Sequence, residues 1–154
     1  MINPENFDCT FRPATHDDRK RLCELASACW LGVYRNHVSA ESVRRFRDEE
    51  GAGRYVGEFL PFTCVAVIDC EVIGMISQCD GCIAGLYVDA RFRGNRVGTS
   101  LLHNAWIDGG TILEVSATNT SAINFYERRG WRKMGEFEED IYGTALNAFT
   151  MCQS

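Results

Sequence analysis

The sequence predicts a mixed α/β domain built around one central sheet. Three observations carry that prediction. Apolar residues before position 50 recur at helical spacing, whereas after Pro61 they fall into short runs rich in β-branched and aromatic residues. Further along, strand-like and helix-like segments alternate, with glycines at their boundaries. The composition, 45% hydrophobic and 24% charged over 154 residues, is that of a globular chain able to bury a core without covalent staples.

Residues 10–13 read as a short first strand. Thr15 then reads as an N-cap with Asp18 three residues on, and Leu22, Leu25, Ala26, Cys29 and Trp30 follow helical spacing. A second helix is expected from Ser39 as N-cap, with Val43 and Phe46 on one face and Glu41 complementing the helix dipole. Ser42 stands where a capping box would carry Glu or Gln, and the helix should end before Gly51-Ala52-Gly53. Residues 62–68 and 72–77 form a hairpin around Asp69-Cys70-Glu71, and residues 82–88 form a third strand. After a glycine-containing loop, Val97, Leu101, Leu102 and Ala105 describe a helix that Gly109-Gly110 ends. A strand over 111–115, a helix over 119–129 closed by Gly130, and strands over 131–136 and 145–151 complete the order.

Several function classes are disfavoured at once. The net charge of -5 argues against a nucleic-acid binder, which needs a basic footprint. No apolar run approaches a membrane span, and Met1-Ile2-Asn3-Pro4-Glu5 lacks the basic-then-apolar pattern of a secretory signal, so a cytoplasmic protein is expected. The eight cysteines are irregularly spaced and several sit in apolar runs, where Cys behaves as a small hydrophobe. Cys79 and Cys82 have CxxC spacing. Asp80-Gly81 between them is a hairpin-turn signal, which is preferred to a redox or metal site. No metal is expected.

The segment that carries chemistry follows the third strand. Leu86-Tyr87-Val88 leads through Asp89-Ala90-Arg91-Phe92 into Arg93-Gly94-Asn95-Arg96-Val97-Gly98-Thr99 and then a helix. A helix N-terminus offers unpaired N–H groups and a positive dipole end. Gly94 and Gly98 allow a ligand close to the backbone, and Arg91, Arg93 and Arg96 add positive charge. Together these describe an anion site suited to phosphate. The spelling is neither GxGxxG nor GxxxxGK[ST]. The alternative is a tight turn with solvated arginines.

With these residues in view, the sequence resembles the GNAT superfamily of acyl-CoA-dependent N-acetyltransferases. Leu86-Tyr87-Val88 is similar to the strand that pairs with the pantetheine arm in that family. Arg93-Gly94-Asn95-Arg96-Val97-Gly98 is similar to its pyrophosphate loop [RQ]-x-x-G-x-[GA], with Arg96 where the first loop glycine usually stands. A helix-like φ at Arg96 would tolerate the side chain. Residues 119–131 are similar to the family's N-x-x-A-x-x-F-Y-x-x-x-G-[FW] helix. The resemblance implies one N-acetyltransferase domain over residues 1–154, with a central mixed, mostly antiparallel sheet flanked by about four helices. It implies acetyl-CoA as acyl donor, bound by Leu86, Tyr87, Val88, Arg93, Gly94, Asn95, Arg96, Val97, Gly98, Thr99, Asn119 and Ala122, with Tyr126 as catalytic acid.

The implied reaction is direct attack of a neutral amine on a thioester. It needs an N–H donor for the oxyanion, which the resemblance puts near Val88, and a proton for the departing thiolate. Asn119 and Tyr126 lie about two helical turns apart and so share a face. Read without the resemblance, Asn119 is a plain helix N-cap and Tyr126 a core aromatic. Asp80, Glu58 and Glu114 are the acidic candidates for a base, beside loss of the proton to water. Trp30, Tyr34, Arg35 and His37 belong to the segment that the resemblance puts on the acceptor side; an aromatic packing patch is the alternative. His16 and His103 read as surface residues. The acceptor is a small-molecule amine or a peptide, and a homodimer is left open. Two other classes stand beside the enzyme: a non-catalytic acyl-CoA-binding or sensing module, and a redox or zinc protein built on Cys79 and Cys82.

Overall fold

The structure is a computed structural model and describes residues 9–153; the signal-free reading of residues 1–5 lies outside them. The chain runs β1 (Thr10–Pro13), α1 (Arg19–Tyr34), α2 (Ala40–Asp48), α3 (Gly51–Phe59), β2 (Thr63–Ile68), β3 (Glu71–Cys79) and β4 (Cys82–Val88). It continues with α4 (Val97–Ile107), β5 (Ile112–Ser116), α5 (Thr120–Glu127), β6 (Arg132–Ile141) and β7 (Thr144–Cys152). All seven strands form one sheet in the order β1-β2-β3-β4-β5-β7-β6. Every neighbouring pair is antiparallel except β4 with β5, which α4 joins as a crossover.

Local signals account for most elements. Asp69 and Cys70 (φ 48° and 64°) turn β2 into β3, and Asp80 and Gly81 (φ 53° and 81°) turn β3 into β4. Cys79 and Cys82 face each other across that second turn, as a hairpin requires. Ser39 caps α2 by accepting the Ser42 N–H at 3.0 Å, and Asn119 caps α5 by accepting from Ala122 at 3.2 Å. Asp18 accepts the Thr15 N–H at 2.7 Å, although the turn it closes is a short 3-10 turn over His16–Asp18 that leads into α1.

Two packed layers cover the sheet. Val97, Leu101, Leu102 and Ala105 of α4, with Ile123 and Tyr126 of α5, pack on Ile73, Ile83, Leu113, Val115 and Met151. On the opposite face Leu22, Leu25 and Val56 meet Val65, Val72 and Met75, while Ala26, Phe46 and Ala52 close a smaller cluster. β3 runs through the middle and is buried from Val72 to Ser77, the expected pattern for a strand covered on both sides.

Two expectations are corrected. Among the described residues there are five α-helices rather than about four, because α3 begins at Gly51, where the glycines read as a simple break. Glu50 adopts a left-handed conformation (φ 52°) that ends α2 and redirects the chain into α3. The last hairpin is also longer than expected: β6 extends to Ile141 and turns at Tyr142-Gly143.

Candidate active site

The site begins where the sheet comes apart. β5 pairs with β4 only at Cys82 and Ile83, so beyond them the two strands diverge. Asp89 donates its N–H to the Ile73 carbonyl at 2.8 Å, and two residues earlier Tyr87 lies opposite Met75. Antiparallel pairs alternate, so the backbone groups of Leu86 and Val88 point away from β3 toward the opening. The Val88 carbonyl accordingly accepts Arg93 Nε at 3.4 Å and the Cys29 thiol at 3.8 Å.

The divergence opens a cleft of about 650 Å³ between β4, the start of α4 and the start of α5. The expected site residues Leu86, Tyr87, Val88, Arg93, Gly94, Arg96, Val97, Gly98, Thr99, Asn119, Ala122 and Tyr126 line it together. Asn95, between the left-handed residues Gly94 and Arg96, is outside the lining. The cleft also takes in His37, from the segment expected on the acceptor side, and Cys29, Arg128 and Arg129, which the sequence alone does not assign to it.

The mouth of the cleft is built for an anion. No side chain caps α4, and its first intrahelical bond runs from the Ser100 N–H to the Arg96 carbonyl, which leaves Val97, Gly98 and Thr99 with outward N–H groups. Arg96 caps the helix at φ 63°, a left-handed conformation. It is not the helix-like φ that would tolerate a side chain without strain, but one that favours glycine. Arg91 is also corrected. It turns from the loop to Asp89 (2.9 Å) and Glu71 (2.6 Å); Arg91, with Arg21 at 2.6 Å, holds the Asp89 carboxyl well below the usual carboxylate range. Arg93, Arg96, Arg128 and Arg129 make no ion pair among the described residues, so the cleft of an acidic chain carries four uncompensated guanidinium groups.

Tyr126 sits deeper, 8% exposed, with its ring against Phe125 and Trp131. Its hydroxyl has no hydrogen-bond partner among the described residues, and burial pushes the phenol well above its ordinary value. Burial likewise raises the Cys29 thiol, against the opposing pull of Arg93 3.7 Å away.

The acidic candidates separate. Asp80 lies in the β3–β4 turn, at the opposite end of β4 from Val88, and Glu58 is exposed on α3. Glu114 shares the α1-facing side of the sheet with Glu139 of β6, which the sequence reading missed; only the pairing of β6 with β7 brings it there. Glu139 is near the Tyr34 hydroxyl, which donates to it at 3.4 Å, and burial raises its carboxyl. Trp30 is a packing residue, stacked on Phe46 at 3.9 Å, and Arg35 is exposed. Among the described residues no three His, Cys, Asp or Glu side chains gather as a metal site, and no helix is long and apolar enough to cross a membrane.

Residues 61–133, from the entry to β2 through the beginning of β6, match the family model described as acetyltransferase (GNAT) domain. Over that stretch the chain matches a GNAT acetyltransferase domain. Solved structures agree over nearly its whole length. YjaB from Escherichia coli is 23% identical, with a TM-score of 0.75 over 94% of this chain and 96% of that one. A GCN5-related N-acetyltransferase from Rhodopseudomonas palustris is 25% identical, with a TM-score of 0.73 over 94% of each. PaiA N-acetyltransferase from Thermoplasma acidophilum, solved in complex with coenzyme A, is 18% identical, with a TM-score of 0.71 over 95% of this chain and 98% of that one. No curated protein sequence matches the chain. As a GNAT-like acetyltransferase, the protein is an enzyme of acyl transfer, and its fold is one that takes an acetyl group from acetyl-CoA.

Proposed function

We propose that this acetyltransferase moves the acetyl group of acetyl-CoA onto a primary amine of a small molecule or peptide by direct attack, with Tyr126 as general acid. The observation that carries the reading is the Tyr126 phenol: more than nine-tenths buried, without a protein partner, and lining the same cleft as the uncapped start of α4.

In this reading the pyrophosphate lies against the N–H groups of Val97, Gly98 and Thr99, with Arg93 and Arg96 supplying charge. Pantetheine extends along the open edge of β4, where the Leu86 and Val88 backbone faces outward. The Val88 N–H is the donor that steadies the oxyanion as the amine attacks the thioester carbon. When the tetrahedral intermediate collapses, the C–S bond breaks and the thiolate takes the Tyr126 proton. A phenol held above its ordinary pKa stays protonated for that step. The ammonium group loses one proton to water before it attacks and a second as the intermediate collapses, and the tyrosinate recovers its proton from water. Glu114 and Glu139, neither in an ion pair among the described residues, make the α1 side of the sheet hospitable to a substrate that arrives as an ammonium ion. A non-catalytic acyl-CoA sensor would have no use for an unpartnered phenol in this position.

The test is an acceptor screen that follows release of free CoA from acetyl-CoA across amines, amino acids and peptides. Turnover with at least one primary amine is expected. Tight acetyl-CoA binding without turnover on any amine would favour the sensor, and absence of binding would remove both readings.

A further inference from the structure

Arg129 is the cleft cation with the most fixed position. Its guanidinium stacks on the Phe125 ring, 3.8 Å from the centroid, and Nη1 donates to the Phe125 carbonyl at 2.8 Å. Nε and Nη2 both donate to the Thr99 hydroxyl oxygen, at 3.1 and 2.6 Å. Arg129 follows α5, and Thr99 is the third residue of α4, so this fork spans the mouth of the cleft between the two helices. Burial and the neighbouring Arg128 charge lower the Arg129 pKa, and no carboxylate pairs with it.

A threonine hydroxyl has one proton to give and two lone pairs with which to accept. Here two N–H groups of one guanidinium converge on that oxygen from its acceptor side. Threonine in a helix commonly returns its proton to the carbonyl one turn back, but among the described residues the Thr99 hydroxyl donates to no acceptor. We infer that Arg129 is a positioning residue: by occupying the acceptor side of Thr99 it leaves the hydroxyl only as a donor, aimed at the anion bound at the start of α4. This rests on the acetyl-CoA reading above. It adds a side-chain donor to the backbone N–H groups, placed there by a residue distant in sequence, and makes Arg129 act on the anion through Thr99.

Calorimetric titration of CoA into the wild type, Thr99→Val, Thr99→Ser, Arg129→Gln and the Arg129→Gln/Thr99→Val double variant separates the possibilities, with melting curves confirming that each variant folds. Valine keeps the shape of threonine and removes the hydroxyl; serine keeps the hydroxyl. Thr99→Val and Arg129→Gln should each weaken CoA binding about tenfold, the effect of losing one charge-assisted hydrogen bond. The double variant should be no weaker than about tenfold, since both changes disarm one donor. Thr99→Ser should bind within about twofold of the wild type, because it keeps the hydroxyl. Wild-type affinity for Thr99→Val would overturn the inference. So would a double variant weakened about a hundredfold, because Arg129 would then touch the anion independently. Wild-type protein that binds no CoA would instead overturn the acetyl-CoA reading.

Discussion

Tyr126 and Arg96 show what a single side chain contributes to this cleft. Tyr126→Phe removes one oxygen from a buried ring and leaves its packing in place. It should lower kcat about a hundredfold, the low end for loss of a general acid, and leave acetyl-CoA affinity unchanged. Because burial raises the phenol above its usual value near 10, the acid form persists across the neutral and mildly alkaline range. An alkaline limb in kcat below about pH 9 should therefore survive the substitution. Its disappearance in Tyr126→Phe would show that the phenol titrates there and would contradict the assignment. At Arg96 the backbone is strained, since a left-handed residue with a side chain costs roughly 1–2 kcal/mol. Arg96→Gly removes that strain but gives the unfolded chain more freedom, worth about 0.4–1 kcal/mol. A net gain of about 0.5 kcal/mol in denaturant unfolding is expected, with acetyl-CoA bound severalfold more weakly for lack of the guanidinium. Stability and affinity should move in opposite directions; a joint loss would mean that Arg96 is a structural residue.

At the level of elements, the exit of β4 is held by charge. Asp89 accepts the Arg91 N–H at 2.9 Å and pairs with Arg21 of α1, whose Nε also donates to the Val72 carbonyl at 2.9 Å. The carboxylate thus ties α1, β3 and the anion loop to the strand end that carries Val88. Asp89→Asn should cost about 2 kcal/mol at neutral pH and raise the KM for acetyl-CoA. The sign with pH follows from a depressed pKa. The contribution is complete above the unfolded carboxylate value near 4 and is lost as pH falls through the lower folded value. The gap in unfolding free energy between wild type and Asp89→Asn should therefore be constant from pH 5 to 8 and narrow below about pH 4. A gap that does not narrow would place its origin in packing rather than charge. The elements readable in advance were those whose signals are local. Asp80-Gly81 fixes a hairpin, Ser39 and Asn119 cap the helices that follow them, and the loop-to-α4 boundary shows in its glycines. α3 escaped because its first residue is a glycine for a tertiary reason. A Cβ at position 51 would lie 2.4 Å from Phe46 and 2.5 Å from the Tyr142 hydroxyl, the second a contact that no local window contains. Glu139 beside Tyr34 and Arg129 on Thr99 escaped likewise, since each meeting depends on packing between elements far apart in the chain.

At the scale of the molecule, an acidic chain concentrates around the division of its sheet four arginines that make no ion pair among the described residues. The β1–β4 half and the β5–β7 half share two residue pairs at their junction, and the cleft lies between the strands beyond it. A ligand that meets the β4 edge on one side and Asn119, Ala122 and Tyr126 on the other would bridge the two halves. It would then stabilise the fold in proportion to its concentration over its Kd, by about 2.7 kcal/mol at a hundredfold excess. For a chain of this length that corresponds to a rise in Tm of roughly 5–10 °C. Acetyl-CoA should produce this shift, and amide exchange should slow on both banks of the cleft, at residues 86–88 and at the first turn of α5. Protection confined to α4 and α5 would mean that the pyrophosphate binds but the thioester arm does not reach the β4 edge, which would remove Val88 from the mechanism. No rise in Tm at millimolar acetyl-CoA would exclude it as the donor. Because either bank alone could hold part of the molecule, only protection of both banks together ties the divided sheet to catalysis.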